Sequence, residues 1–521
     1  MAAFGDRVQD AEGFRGTLRY AGPIHSKGAD AIYYGIEWDD ASRGKHDGEA
    51  GGVRYFTTAA PTSGSFVVPE KVVRGVGFLD ALHERYMQAE VSDVRVAGEV
   101  GTSSGSSKSI QLVGVHKIQE RQDLGVICKV SLESCRIARM PEPDVLRSMA
   151  PNIEVLNLGF NLLGSWREVL TLADALPKLE HLVLSGNRLA FDVPATSNVT
   201  FPFVTSLVLN QTNLTWTDVQ RVCSAHFPQL RELYVASNEL TDADLLAAAT
   251  LPWPTHLELV DLSHNKLGDW SVLQQSLGAL PSLQHVLLNG NALPAILPTP
   301  SGSFSSLVSI SISDNLIDAW SSMDALNSLP SLELLRFAKN PLIAALGAGE
   351  ARMIIVARCA RLVAFNGSEI RAKERLDAEQ MYLKRILHEL ASFPSTDDQL
   401  KVASSHPRFD ELVAKYPDIQ KPQSERDGPA ALARSLVAVT FLPMSINATT
   451  MDPMEKKLPL NMKVGQLKLL VQKKYGLEPA EHQLSFRSSK KGMSIPLDDE
   501  ACDVGYYGLQ DGAEILVNDV W

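Results

Sequence analysis

One spacing governs the middle of this chain: Cys135, Asn161, Asn187, Thr212, Asn238, Asn265, Asn291, Asn315 and Asn340 recur at steps of 24 to 27 residues inside one apolar frame. The frame is L-x-x-L-x-L-x-x-N-x-L. It is complete at Leu179, Leu182, Leu184, Asn187 and Leu189, again from Leu230 to Leu240, and again from Leu257 to Leu267. Units of this length cannot bury an apolar face alone. Stacked, they bury a continuous one, so the segment predicts a quasi-one-dimensional solenoid. Each L-x-L forms a short strand with alternate side chains inward, and the asparagine amide satisfies backbone groups at the turn that follows. Trp166–Leu176 and Thr241–Leu251 carry helical spacing and form the convex side. The concave sheet then presents Glu154, Asn157, Glu180, His181, Val183, Arg231, Glu232, Tyr234, Glu258 and Asp261, and it is the expected partner surface.

Upstream, glycine and aromatic residues replace leucine. In Gly44-Lys45-His46-Asp47-Gly48 two glycines bracket a lysine, permitting positive-φ turns that bring backbone N–H groups toward an anion. Lys45 adds a compact positive charge. Tyr20, Tyr33, Tyr34, Trp38, Tyr55, Phe56 and Phe66 surround the loop in short, glycine-punctuated runs that predict a small bent β-barrel. Aromatic walls beside a cationic loop suit a peptide that ends in carboxylates and an aromatic ring. Trp38, Tyr55 and Phe56 serve equally well as barrel core.

With Gly5-Asp6-Arg7-Val8, Gly16-Thr17-Leu18-Arg19-Tyr20 and Gly64-Ser65-Phe66-Val67 in order, residues 1–80 resemble a CAP-Gly domain. Residues 121–345 resemble a leucine-rich-repeat solenoid. The CAP-Gly resemblance implies binding of Glu-Glu-Tyr-type C-terminal tails, as carried by α-tubulin. By motif match Lys45 and His46 face the ligand carboxylates, Tyr33 and Phe66 line the aromatic pocket, and Gly44, Asp47 and Gly48 complete the loop. His46 stands where Asn is usual, Tyr33 where Trp is frequent, and Val68 where a basic residue often follows.

Residues 346–392, with Leu362–Gly367 and a charged helix around Lys373, Glu374 and Tyr382, resemble the polar end cap of such a solenoid. Residues 81–120, Gly- and Ser-rich from Val96 to Lys108, are expected as a linker leading into the solenoid, and residues 393–433, with five prolines from Pro394 to Pro429, as a second linker. From 434 to 521 the pattern reads strand (Leu436–Leu442), strand (Glu455–Leu460), helix (Val464–Tyr475) and further strands, resembling a ubiquitin-like β-grasp domain. Its end, Asn518-Asp519-Val520-Trp521, lacks the Gly-Gly of a conjugated tag and implies an interaction module. The fold class is multidomain α/β.

A net charge of −12 argues against nonspecific nucleic-acid binding. No apolar run reaches about 18 residues and Met1–Arg15 shows no signal pattern, so the protein is expected in the cytoplasm and at the cytoskeleton. Cys128, Cys135, Cys223, Cys359 and Cys502 are scattered without metal-ligand spacing and are expected as buried thiols. No P-loop, nucleophile elbow or H-E-x-x-H occurs. Asp261, Ser263 and His264 are the repeat template with its free positions filled, so no enzyme activity and no cofactor are expected.

The order CAP-Gly, leucine-rich repeats, ubiquitin-like domain resembles the tubulin-specific chaperone E family, also called tubulin-folding cofactor E, over the whole chain. The resemblance implies capture of α-tubulin and work with cofactors B, C and D and the small GTPase Arl2 in assembling and dissociating the α/β heterodimer. The alternative is an adaptor that binds polymerised microtubules or end-binding proteins.

Overall fold

The computed structural model describes residues 5–87, 124–193, 197–248, 252–419, 436–445, 448, 451–460, 462–487, 494–505 and 507–519. They fall into two compact units, Met1–Leu267 with Gln275–Leu287, and Gly268–Gln274 with Leu288–Trp521.

The first unit opens with strands β1 (Arg7–Asp10), β2 (Arg15–Ile24), β3 (Gly28–Trp38), β4 (Glu49–Ala50), β5 (Val53–Arg54), β6 (Gly64–Val67) and β7 (Val72–Arg74). Five of them form an antiparallel sheet in the order β6-β3-β2-β1-β7, and β4 and β5 form a separate hairpin. Strand alternation sends Tyr34, Ile36 and Trp38 inward, onto Val8 and Leu18. Trp38 is thus core, while Tyr33, Gly35 and Glu37 fall on the opposite face of β3.

Strand β8 (Val76–Gly77) leaves the barrel, and helix α1 (Phe78–Tyr86) buries Phe78, Ala81 and Leu82. The solenoid then begins with β9 (Lys129–Ser131) and β10 (Ile137–Arg139). Strand β8 pairs in parallel with β10, and the Tyr86 hydroxyl accepts from the Ser131 N–H at 2.9 Å. The expected first linker therefore starts as a helix seated on the first repeat, because its apolar face covers an end that the solenoid would otherwise expose. Its Gly/Ser-rich part, 96–108, lies outside the described residues.

Parallel strands β11 (Val155–Asn157), β12 (His181–Val183), β13 (Ser206–Val208), β14 (Glu232–Tyr234), β15 (Leu259–Asp261) and β16 (His285–Leu287) follow β9 in register. Their central residues Leu156, Leu182, Leu207, Leu233, Val260 and Val286 are buried and the flanking ones half-buried, except Ser206, which is buried. The polar slots act as the repeat predicts. Asn161 Nδ2 donates to the carbonyls of Leu132 (2.8 Å) and Leu158 (2.9 Å), and its Oδ1 accepts from the Ile137 N–H at 2.9 Å. Asn187, Asn238 and Asn265 repeat the arrangement. The residue before each slot turns left-handed: Ser134, Phe160, Gly186, Gln211, Ser237 and His264 have φ between 56° and 68°. Only one is glycine, so the side-chain amides must hold a turn that costs other residues about 1–2 kcal/mol each.

The second unit continues the repeat in parallel strands Ser309–Ser311, Leu334–Arg336 and Ala364–Phe365, with Ser368–Glu369 added antiparallel. The helix Ala372–Ser392 packs on Ala348–Arg358 as the cap. Over its described part the expected second linker is not one: Thr396–Ser404 and Phe409–Lys415 are helices. A buried carboxylate holds them. Glu379 accepts from Arg408 (2.9 Å), Lys415 (2.7 Å) and the Tyr416 hydroxyl (2.7 Å). Burial alone would push that carboxyl up, but these donors outweigh it and hold its pKa below the usual range. Pro394 and Pro407 each precede the first residue flanking a helix, Ser395 and Arg408, and Pro417 opens a single 3-10 turn, so they bound helices rather than break them.

The ubiquitin-like domain places Leu436–Pro443, Met454–Pro459, His482–Arg487, Ile495–Pro496 and Ala513–Asp519 in one sheet, crossed by the helix Val464–Tyr475. Gly476, at φ 73°, ends that helix. Among the cysteines Cys223, Cys359 and Cys502 are buried as expected, whereas Cys128 and Cys135 in the first repeat are half-exposed. No helix of the described residues is long and apolar enough to cross a membrane.

Candidate functional site

The glycine loop is launched from the end of β3. Asp40 accepts from the Ser42 N–H at 2.9 Å and caps the single turn Ala41–Arg43, and Gly44 closes that turn on the Ala41 carbonyl. Lys45 and His46 donate their N–H groups to the Gly64 carbonyl (2.7 and 3.1 Å), and Gly64 donates back to His46 at 2.7 Å. The loop is therefore pinned to β6, with the Lys45 side chain exposed. Among the described residues its ammonium has no ion pair, which leaves the charge available to a ligand.

The two bracketing glycines have different causes. Gly48 has φ +98°, and a Cβ there would lie 2.1 Å from the Phe56 carbonyl oxygen. Gly44 has φ −78°, not the positive value expected. It is glycine because a Cβ would stand 1.9 Å from the Thr62 carbonyl oxygen. Close approach, not handedness, fixes that position.

Phe66 organises the aromatic wall. Its ring centre lies 4.8 Å from His46, 5.4 Å from Tyr55 and Phe56, and 6.3 Å from Tyr20. His46 Nδ1 accepts from the Gly48 N–H at 3.0 Å, which puts the proton of a neutral ring on Nε2 as a donor. Asp47 does not point a charge at the ligand. It pairs with Arg54 at 2.7 Å, and that hydrogen bond holds its carboxyl below the usual range. The exposed Lys45 ammonium and the His46 Nε2 donor thus lie on the loop beside a wall of Phe66, Tyr20, Tyr55 and Phe56. Tyr33 shares the face of β3 that carries Gly35, where a Cβ would meet Phe56 at 2.5 Å and Tyr20 at 2.9 Å.

Tyr20, Tyr55 and Phe56 belong to this wall although the motif match assigned only Tyr33 and Phe66 to it. The missed signal was Gly35, the glycine that lets Phe56 and Tyr20 cross β3. Beside the wall a cavity of about 550 Å³ is lined by Arg19, Glu37, Tyr55, Phe56 and Thr57–Ala59. Arg19 pairs with Glu37 at 2.8 Å, so this floor is neutral. Elsewhere, His388, Asp499 and Cys502 bring donor atoms within 4.8 Å of one another. Burial and the bond to Asp499 push the Cys502 thiol up to about 11, so the group is held as a protonated hydrogen-bond donor rather than a thiolate.

Family models match the CAP-Gly domain at residues 4–72, a leucine-rich repeat at 254–269 and the ubiquitin-like domain at 441–520. Among curated relatives, the tubulin-specific chaperone E of Danio rerio is 33% identical over 99% of this chain and 98% of its own length. The tubulin-folding cofactor E of Arabidopsis thaliana is 30% identical over 99% and 97%, and the tubulin-specific chaperone E of Homo sapiens 31% over 98% of each. Identity at this level across all three modules, in the same order and at nearly full length, shows that the chain belongs to the tubulin-specific chaperone E family.

Proposed function

We propose that this chain is a tubulin-folding chaperone that captures the acidic C-terminal tail of α-tubulin in its CAP-Gly site and grips the folded tubulin body with its solenoid. One observation carries the reading: an exposed lysine and a histidine Nε2 stand at the rim of an aromatic wall centred on Phe66. This arrangement suits a carboxylate-rich chain end that carries a ring, since the charges are met by donors and the ring by aromatic edges.

The solenoid supports a second contact of different chemistry. Its concave strands align Val183, Val208, Tyr234, Asp261 and Leu287 in one ladder, with Glu232 and Glu258 beside it. Arg231, the basic residue among them, is already paired with Glu258. Tail and body contacts on one molecule raise affinity by effective concentration without a new contact. On the family's pattern the protein acts in the cytoplasm with cofactors B, C and D and Arl2 in heterodimer assembly and dissociation, without enzyme activity of its own.

Size-exclusion chromatography of the purified chain with native tubulin heterodimer tests this. The chaperone reading predicts that α-tubulin leaves the heterodimer and co-elutes with the chain. An intact heterodimer, together with pelleting of the chain on polymerised microtubules, would instead establish the adaptor.

A further inference from the structure

The barrel touches the solenoid within the first unit through more than the chain that joins them. Arg7, whose side chain is 4% exposed, forms a bidentate pair with Asp39, with one bond of 2.7 Å. From the solenoid Arg188 reaches the same residue: its Nη2 donates to the Asp39 carbonyl at 3.2 Å, and its Nε lies 3.7 Å from Oδ1. Beside them the Arg15 guanidinium lies over the Phe160 ring at 5.0 Å from its centre. Phe160 is offered there by its left-handed turn, and Gly186 makes room for it, since a Cβ at 186 would stand 2.5 Å from the ring. The joining segment is itself fixed by the β8–β10 pairing, where a Cβ on Gly75 would lie 2.2 Å from the Ala138 Cβ.

Two attachments remove the swivel that one would leave. The arginine attachment also lies next to the ligand loop. Asp39 is followed by Asp40, the cap of the Ala41–Arg43 turn, and that turn delivers Gly44 and Lys45. Arg7 alone would satisfy the Asp39 carboxylate, so Arg188 is not needed to fold the barrel.

We propose that Arg188 and Phe160 are positioning residues that clamp the CAP-Gly barrel onto the solenoid through Asp39 and Arg15, holding the tail pocket at a fixed orientation to the concave sheet. This rests on the reading that tail and body are bound together. Its consequence is quantitative, because a fixed pair of sites has a higher effective concentration than a pair joined by a flexible linker, for which mM is typical of short spans.

The test compares wild type, Arg188→Glu with Phe160→Ala, and Arg188→Lys, all as full chains. Each is titrated with an acidic tail peptide ending in tyrosine, with intact tubulin and with tubulin whose tails have been removed by protease. The product of the peptide and tail-less dissociation constants divided by that for intact tubulin gives the effective concentration. The clamp predicts peptide and tail-less affinities within about twofold of wild type in the double variant, an effective concentration at least about tenfold lower, and partial recovery in Arg188→Lys. An unchanged effective concentration overturns it.

A second readout needs no tubulin. Spin labels on non-canonical residues at exposed Ser42 and Glu180 should give one narrow distance distribution in wild type and a broad one in the double variant. A broad wild-type distribution, or an equally narrow one in the variant, refutes the clamp. Absent peptide binding in wild type alongside a narrow distribution that broadens would retain the clamp and remove the tail-capture reading.

Discussion

Gly48→Ala places a methyl group at φ +98°, outside the left-handed region that alanine tolerates, and aims it at the Phe56 carbonyl oxygen from 2.1 Å. The backbone strain is about 1–3 kcal/mol. Relief needs the loop and the Phe56 backbone to separate by about 1 Å, since ordinary van der Waals contact begins near 3.4 Å. That movement stretches the Tyr55 N–H bond to the Gly48 carbonyl (3.0 Å) and the Gly48 N–H bond to His46 Nδ1 (3.0 Å). Each is worth about 0.5–1.5 kcal/mol, and the second sets the His46 tautomer. The total is about 2–6 kcal/mol, of which 1.4–2.8 spent in the loop itself would weaken binding about 10- to 100-fold. Fluorescence anisotropy with a labelled acidic tail peptide reads this directly. Gly52→Ala is the control: its φ is +78° but nothing lies within 4 Å of the new methyl, so it bears strain without the clash and should change binding less than about threefold. Equal affinities for wild type and Gly48→Ala would refute the placement of the loop against Phe56.

In the solenoid, Asn238→Ala orphans the buried N–H of Thr212 and the part-buried N–H of Asn213, both now bonded to Oδ1 at 2.8 Å. At about 1–3 kcal/mol for each, the loss is about 2–6 kcal/mol in urea unfolding, and a loss below about 1 would contradict the ladder. Glu379→Gln weakens one of the two carboxylate partners of buried Arg408, which keeps Glu411, and should cost about 1–3 kcal/mol, with new proteolytic cleavage at 396–419 as the readout; an unchanged digest would contradict it. His406 and His482 both have folded pKa values below the ordinary one, through burial in each case and next through Arg358 at His406, whereas at His482 the bond to the Glu478 carbonyl opposes it. The unfolded chain therefore takes up protons that the fold refuses. This contribution to stability is present above about pH 6.5 and is lost as pH falls from there toward the lower folded values, so the melting temperature should drop on acidification and His482→Gln should flatten the drop. A flat wild-type profile between about pH 7.5 and 5.5 would contradict both assignments.

What was legible in the sequence is what repeats or what glycine forces. The asparagine spacing placed the solenoid strands because Asn161, Asn187, Asn265 and Asn315 each make the same pair of carbonyl bonds, and the helix Val464–Tyr475 of the ubiquitin-like domain matched residue for residue. Gly48 was read for its positive φ and has it, whereas Gly44 was read the same way and is instead a close approach to Thr62, a contact 18 residues away that local pattern cannot show. The prolines of 393–433 suggested a linker, yet Glu379 organises its described part, 393–419, from a different helix through pairings 29 to 37 residues apart. Arg188 and Asp39 are separated by 149 residues, and nothing in either neighbourhood marks the pair. Tyr20 and Tyr55 were legible among the aromatics around the loop, but their 5.1 Å edge contact joins residues 35 apart and is set by the fold.

The central claim is that the cationic loop takes the tail. It is tested by measuring the affinity of wild type and Lys45→Glu for intact tubulin and for tubulin with its tails removed. The account predicts that removing the tail weakens wild type by at least about tenfold, or 1.4 kcal/mol, and that Lys45→Glu binds both forms as weakly as wild type binds the tail-less one. Wild-type affinity that is indifferent to the tail, or a Lys45→Glu variant that still discriminates between the two forms, would contradict it.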